Sequence, residues 1–194
     1  MTTSIAAKSG GGPPGSLKER KHMSFIETAR KRYSVRSYLP QKVEPENLQL
    51  ILEAGRVAPT GCNNQPQRLI VIQSESGLAK LAAAANIFGA PTAILVCGDN
   101  DNVWHRSYDD KNILDIDVSI VTTHMMLQAS ELGVGSLWMC KFDPVKIRKE
   151  FSLPDNIIPV NILLLGYESG TPLSPDRHDT RRKPLDQTVF YETL

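Results

Sequence analysis

In the stretch RKRYSVRSY, residues 30–38, four cations (Arg30, Lys31, Arg32 and Arg36) and two tyrosines fall within nine residues. Arg30 and Lys31 suit the end of a helix, where cations complement the negative end of the dipole. Arg32, Ser34 and Arg36 alternate, so in an extended chain all three point to one side, with a hydroxyl between two guanidiniums. Arginine forks bind phosphate oxygens in pairs and a serine hydroxyl adds a neutral donor, so the spacing suits one phosphate.

Other common sites are missing from the sequence. There is no GxGxxG after a strand, no GxxxxGK with Ser or Thr, no HExxH and no GxSxG. Beyond the N-terminal GGGPPG, the one GxG, Gly133-Val134-Gly135, follows a helix and enters a strand, the reverse of a dinucleotide fingerprint. His22, His105, His124 and His178 lie far apart, and His124 on an apolar helix reads as a hydrogen-bonded core histidine. Asp109, Asp110, Asp115 and Asp117 read as capping and dipole residues, so no metal is expected. Cys62, Cys97 and Cys140 form no CxxC pair and read as free thiols of a reducing compartment.

The formal charge of +1 hides an asymmetry, because residues 1–22 contribute +3 and the remainder carries −2. A sequence-tolerant nucleic-acid binder needs a broad basic face, which this balance does not supply. No segment approaches the roughly 20 apolar residues of a spanning helix. A cytoplasmic protein without nucleic-acid or membrane partners is expected. The 194 residues suit one domain. Residues 1–22, with GGGPPG in their middle and His22-Met23 at their end, read as a disordered or vector-derived extension. The folded unit is then 23–194.

Within it, SFIETARKR is expected as a helix with Ser24 and Glu27 forming a capping box, and EPENLQLILEAGRVA as a second helix with Pro45 in its first turn. RLIVIQ, TAILVCG, GSLWM and VNILLLGY read as strands; SGLAKLAAAAN and DPVKIRKEF read as helices. The longest helix spans 115–132, and after Asp117 apolar residues fall on almost every side, which implies a second subunit over one face. From Thr171 the chain has no period, as in a tail that hangs free or wraps a partner. Strands alternating with helices indicate an α/β or α+β sandwich around a central sheet.

Several motifs in order resemble the nitroreductase family of flavin mononucleotide (FMN) enzymes. RYSVRSY (32–38) resembles the family's opening Arg-x-Ser-x-Arg/Lys-x-aromatic, and APTGCNNQP (58–66) its Ala-Pro-Ser and Asn-x-Gln-Pro loop. ELGVGSLWMCKFDP (131–144) and LPDNIIPVNILLLGY (153–167) resemble its Gly-Leu-Gly strand, Leu-Pro turn and last Leu-Gly-Tyr strand; RRKPL (181–185) resembles its closing Arg-Lys-Pro. The resemblance implies an α+β fold, a three-layer α/β/α sandwich with a central mixed sheet. It also implies an intertwined homodimer with FMN at the subunit interface, and NADH or NADPH as electron donor to a nitroaromatic, quinone or similar small acceptor.

Carried over residue by residue, the resemblance gives Arg32 and Ser34 the ribityl phosphate, with Tyr33 acting through its backbone and Arg182, helped by Arg181, reaching the same group. Arg36 matches the cation near the flavin N1 and C2 carbonyl. Pro59, Thr60, Gly61, Asn63 and Gln65 match the loop that the other subunit lays against the ring, with Gln65 also read as ordering that loop. Met139, Cys140 and Lys141 match the strand end whose backbone lies along the flavin. No catalytic side chain is implied, since the chemistry is flavin-centred. Two positions depart from the family pattern: Gln67 stands where Trp often follows Gln-Pro, and Cys62-Asn63-Asn64 is an uncommon loop sequence. Both bear on substrate preference, as does the 102–110 segment, where Trp104 and Tyr108 either pack or line the substrate side. A specialised relative (dehalogenase, enone reductase or flavin-consuming enzyme) and a flavin-binding module with little turnover fit the same residues.

Overall fold

The computed structural model describes residues 24–194, so the expectation for the first 22 residues lies outside it. The elements in chain order are α1 (Phe25–Lys31), α2 (Pro45–Arg56), β1 (Gln67–Ile72), α3 (Glu75–Ala84) and β2 (Thr92–Asp99). There follow β3 (His105–Arg106), β4 (Lys111–Asn112), α4 (Leu114–Glu131), β5 (Gly135–Met139), α5 (Pro144–Glu150), β6 (Ile157–Gly166) and α6 (Arg177–Arg181). Local signals set the helix starts as the sequence implies. The capping box of α1 is made, with the Ser24 N–H donating to Glu27 Oε2 at 2.7 Å. Pro45 opens α2, and Asp143 caps α5 by accepting from the Val145 and Lys146 amides.

The central sheet has the order β1-β2-β6-β5, and every pairing among these four strands is antiparallel. That decides between the two sandwich classes left open by the alternating pattern in favour of α+β. The sheet is therefore antiparallel in its four strands rather than mixed; the parallel contact is an isolated bridge outside them, Ser34 to Ser136, which lays the chain after α1 along the outer edge of β5. β2 is buried along its whole length, which is why it reads as a continuous apolar run. Its alternate residues build two cores. Ile94 and Val96, with Leu163 and Leu165 of β6, pack against α2 and α4. Leu95 and Cys97, with Ile162 and Leu164, share the opposite core with Leu81 of α3 and Ile147 of α5. The result is the expected three-layer sandwich.

α4 lies on α2 through a close approach at Gly55, where an added Cβ would stand 2.8 Å from Met125 Cγ. One face of α4, carrying Val118, Val121, Met125 and Ala129, is buried; on the other, Ile116 is 47% exposed. The tail departs from its expected irregularity. Residues Arg177–Arg181 form α6, too short to show a period, and it docks on the end of α1.

Asp117, expected to serve its own helix, instead lies 1% exposed and accepts the Gly61 amide at 2.9 Å. It therefore anchors the 59–65 loop to the core. Two outcomes are expected. Gly55→Leu should lower stability by about 1–3 kcal/mol in urea unfolding, because overpacking against Met125 exceeds the helix-propensity gain of about 1 kcal/mol. Asp117→Ala should speed exchange of the Gly61 amide by about tenfold or more in hydrogen-exchange NMR, while Asp117→Asn, which keeps an acceptor, should retain its protection.

Candidate active site

The segment after α1 is held in one register. Val35 is buried and its N–H donates to Ser136 O at 3.0 Å; the Tyr38 hydroxyl donates to Val35 O at 3.0 Å, and the Leu39 N–H to Tyr167 O at 2.7 Å. With Val35 turned inward, its neighbours Ser34 and Arg36 must face the other way. The Tyr33 hydroxyl donates to the Glu168 carboxylate, tying the segment to the start of the tail.

A cup of about 230 Å³ results, lined by Arg32, Tyr33, Ser34 and Arg36 on one side and by Arg177, His178, Arg181 and Arg182 of the tail on the other. No acidic residue among the described ones lines it. Burial first, then the charges of Arg177 and Arg182, hold the Arg32 guanidinium below its ordinary pKa. Like charges crowded around a half-buried arginine leave an anion as the group that would relieve them. Arg30 stays outside the cup, in a 3.2 Å ion pair with Asp179, as its position at a helix end implies. Arg177 and His178 were not anticipated. The available signal was the spacing of Arg177 and Arg181, four apart and so on one helix face.

A second cleft, of about 690 Å³, opens at the end of β5 and is lined by Met139, Cys140 and Lys141 with Phe88 and Phe142. Arg36 lines this cleft as well as the cup. β5 is an edge strand, and since Ser136 O is taken by Val35, ladder alternation turns the main-chain groups of Trp138 to the same outer edge. Main-chain donors and acceptors there are open to a ligand. Cys62, Cys97 and Cys140 are unpaired; burial pushes the Cys97 thiol up to about 12, which keeps it protonated, and Cys140 and Cys62 are exposed. The described residues contain no cluster fit for a metal ion.

The loop carrying Pro59, Thr60, Gly61, Asn63 and Gln65 lines neither cleft. It is nonetheless tightly made, with Cys62, Asn63 and Gln65 at φ of 49°, 57° and 51°. Such left-handed backbone persists only where its surroundings enforce it. The Gln65 amide donates to Thr60 Oγ1 at 3.0 Å, and its side chain to Asn63 O at 3.2 Å, so Gln65 does order the loop. Gly61 is required by close approach, since a Cβ would stand 2.6 Å from Ile113 Cδ1 and 3.1 Å from Trp104 Cβ. Trp104 thus packs beside the loop, whereas Tyr108 is 96% exposed among the described residues. His124 bonds Ile120 O at 2.9 Å, as a structural histidine does.

The cup and the cleft fit a planar cofactor bearing one phosphate. An acid-free ring of guanidiniums with a serine hydroxyl suits the phosphate, and an aromatic-walled cleft beside an open strand edge suits a heterocycle.

Comparison with known proteins agrees. The profile described as the Nitroreductase family matches residues 29–87 and 79–167. A crystal structure of a nitroreductase family protein from Clostridium difficile 630 is 61% identical, with a TM-score of 0.87 over 89% of this chain and 100% of that one. An NAD(P)H nitroreductase, YdgI, of Bacillus subtilis (strain 168) is 40% identical over 75% of this chain and 89% of its own. A nitroreductase from Desulfovibrio desulfuricans, solved in complex with FMN, is 26% identical, with a TM-score of 0.73 over 90% of this chain and 99% of that one. With motifs, sandwich and profile in agreement, this chain belongs to the nitroreductase family.

Proposed function

We propose that the chain is an FMN-dependent oxidoreductase moving electrons from NADH or NADPH to small acceptors such as nitroaromatics and quinones. One observation carries the reading. Arg36 lines both the anion cup and the aromatic cleft, so one ligand can run from phosphate to ring past a single guanidinium. The FMN held by the relative from Desulfovibrio desulfuricans is a ligand of that form.

When bound, FMN would supply the two-electron redox chemistry between the nicotinamide donor and the small acceptor. Arg32, Ser34, Arg181 and Arg182, which line the cup, would hold its phosphate, with Tyr33 contributing main chain. Arg36 sets a fixed positive charge beside the cleft, where it would favour the reduced form of a bound ring. Met139, Cys140 and Lys141 line the cleft where the ring would lie, and Cys140 would act there through its main chain rather than its thiol. Water supplies protons, which explains why no acid and base pair is needed.

A cytoplasmic homodimer completes the reading. Its support is the exposed Ile116 face of α4, the exposed Leu185, Phe190 and Tyr191 of the tail, and the 59–65 loop that lines neither cleft of its own chain. In the dimer that loop, with Pro59, Thr60, Gly61, Asn63 and Gln65, closes the flavin site of the second copy. No helix among the described residues is long and apolar enough to cross a membrane.

Purified protein should be yellow and should oxidise NADH or NADPH with menadione or a nitrofuran present; protein that stays colourless after reconstitution with FMN contradicts the reading. Arg36→Ala should weaken FMN binding about tenfold and slow flavin reduction in stopped-flow absorbance. Normal values for both would remove Arg36 from the site.

A further inference from the structure

We infer that Arg177 is a positioning residue that couples docking of the tail to filling of the anion cup. The inference rests on the flavin reading for the identity of the natural ligand. The cup has two walls from distant parts of the chain, the 32–36 segment and the 177–182 tail. Arg177 joins them without offering its fork to the anion. Its Nη2 donates to Arg32 O at 2.6 Å and to Arg30 O at 3.1 Å, and its Nη1 to Ser174 O at 2.8 Å. The same guanidinium lies 5.6 Å over the Tyr33 ring. The accepting carbonyls end α1, where helical partners run out and the dipole favours a cation. His178 adds a 3.0 Å contact to Arg30 O.

Arg32, Arg181 and Arg182, by contrast, have no side-chain hydrogen bond or ion-pair partner among the described residues. Docking α6 therefore brings three guanidiniums of the tail against Arg32, a repulsion that the carbonyl clasp must offset and that an anion removes. Coupling of this kind is reciprocal: an anion tightens the tail, and a docked tail tightens the anion. Sequence motifs point to Arg181 and Arg182 for contact; Arg177 decides whether they arrive.

The test measures amide exchange over residues 174–183 and dissociation constants for inorganic phosphate and for FMN, in the wild-type chain and in Arg177→Gln and Arg177→Lys. In the wild type, either ligand should slow exchange in the tail about tenfold. Arg177→Gln should bind both ligands about tenfold more weakly and lose that slowing at matched occupancy. Arg177→Lys should recover part of the affinity, because an ammonium reaches one carbonyl but cannot fork. A purely structural arginine would lower the unfolding midpoint of the ligand-free protein while leaving the ligand-dependent difference intact, and that result overturns the inference, as do unaltered affinities. Slowing by phosphate that depends on Arg177, in a protein that takes no FMN, would support the clasp and contradict the cofactor reading.

Discussion

The pairing of Val35 with Ser136 is the constraint on which the rest of the site depends. A single hydrogen bond of this kind contributes about 1 kcal/mol, but it comes with the burial of Val35 and fixes a register. In an extended chain a slip of one residue exchanges the two faces. Arg32, Ser34 and Arg36 would then enter the sheet edge and Tyr33 and Val35 would face solvent. Because a slip would bury two guanidiniums and expose a valine, the observed parity is strongly favoured. The same lock brings Arg36 within reach of the end of β5, so the arginine-lined cup and the aromatic cleft meet at this side chain as parts of one groove.

Charge crowding is the second theme. Folding gathers five guanidiniums around a volume of about 230 Å³. Such an arrangement is costly when empty of anions, and the fold meets the cost with interactions placed outside the cup: Arg177 on the carbonyls of α1, Tyr33 on Glu168, Arg30 on Asp179. These contacts hold charges near each other while leaving Arg32, Arg181 and Arg182 free of competing partners. The 59–65 loop follows the same logic in its backbone. Its three left-handed residues are held by Thr60 and by the buried Asp117, so its conformation is supported from beneath.

Elements with strong local signals were legible in the sequence. The capping box at Ser24, Pro45 at the start of α2, Asp143 before α5 and the apolar runs of β2 and β6 all lie where their patterns put them, to within about three residues. The alternation of Arg32, Ser34 and Arg36 disclosed one wall of the cup. The rest depended on contacts between residues far apart in the chain, which no local period records. Strand direction is one example: a helix between two strands suggests parallel pairing, yet every ladder of the main sheet is antiparallel. Asp117 is another, since its carboxylate near a helix start has the same local pattern whether it serves its own helix or a loop 56 residues away. α6 escaped because five residues hold less than two turns, and its stability comes from the α1 carbonyls rather than from a stripe of its own.

The central claim is that this groove is built around a phosphate. Titration of the flavin-free protein with FMN and with riboflavin, followed by fluorescence quenching at two salt concentrations, tests it most directly. Several charge-assisted hydrogen bonds to one phosphate should make FMN bind about a hundredfold or more tighter than riboflavin, with the difference shrinking as salt rises. Equal affinity for the two flavins, or a preference insensitive to salt, would contradict the account.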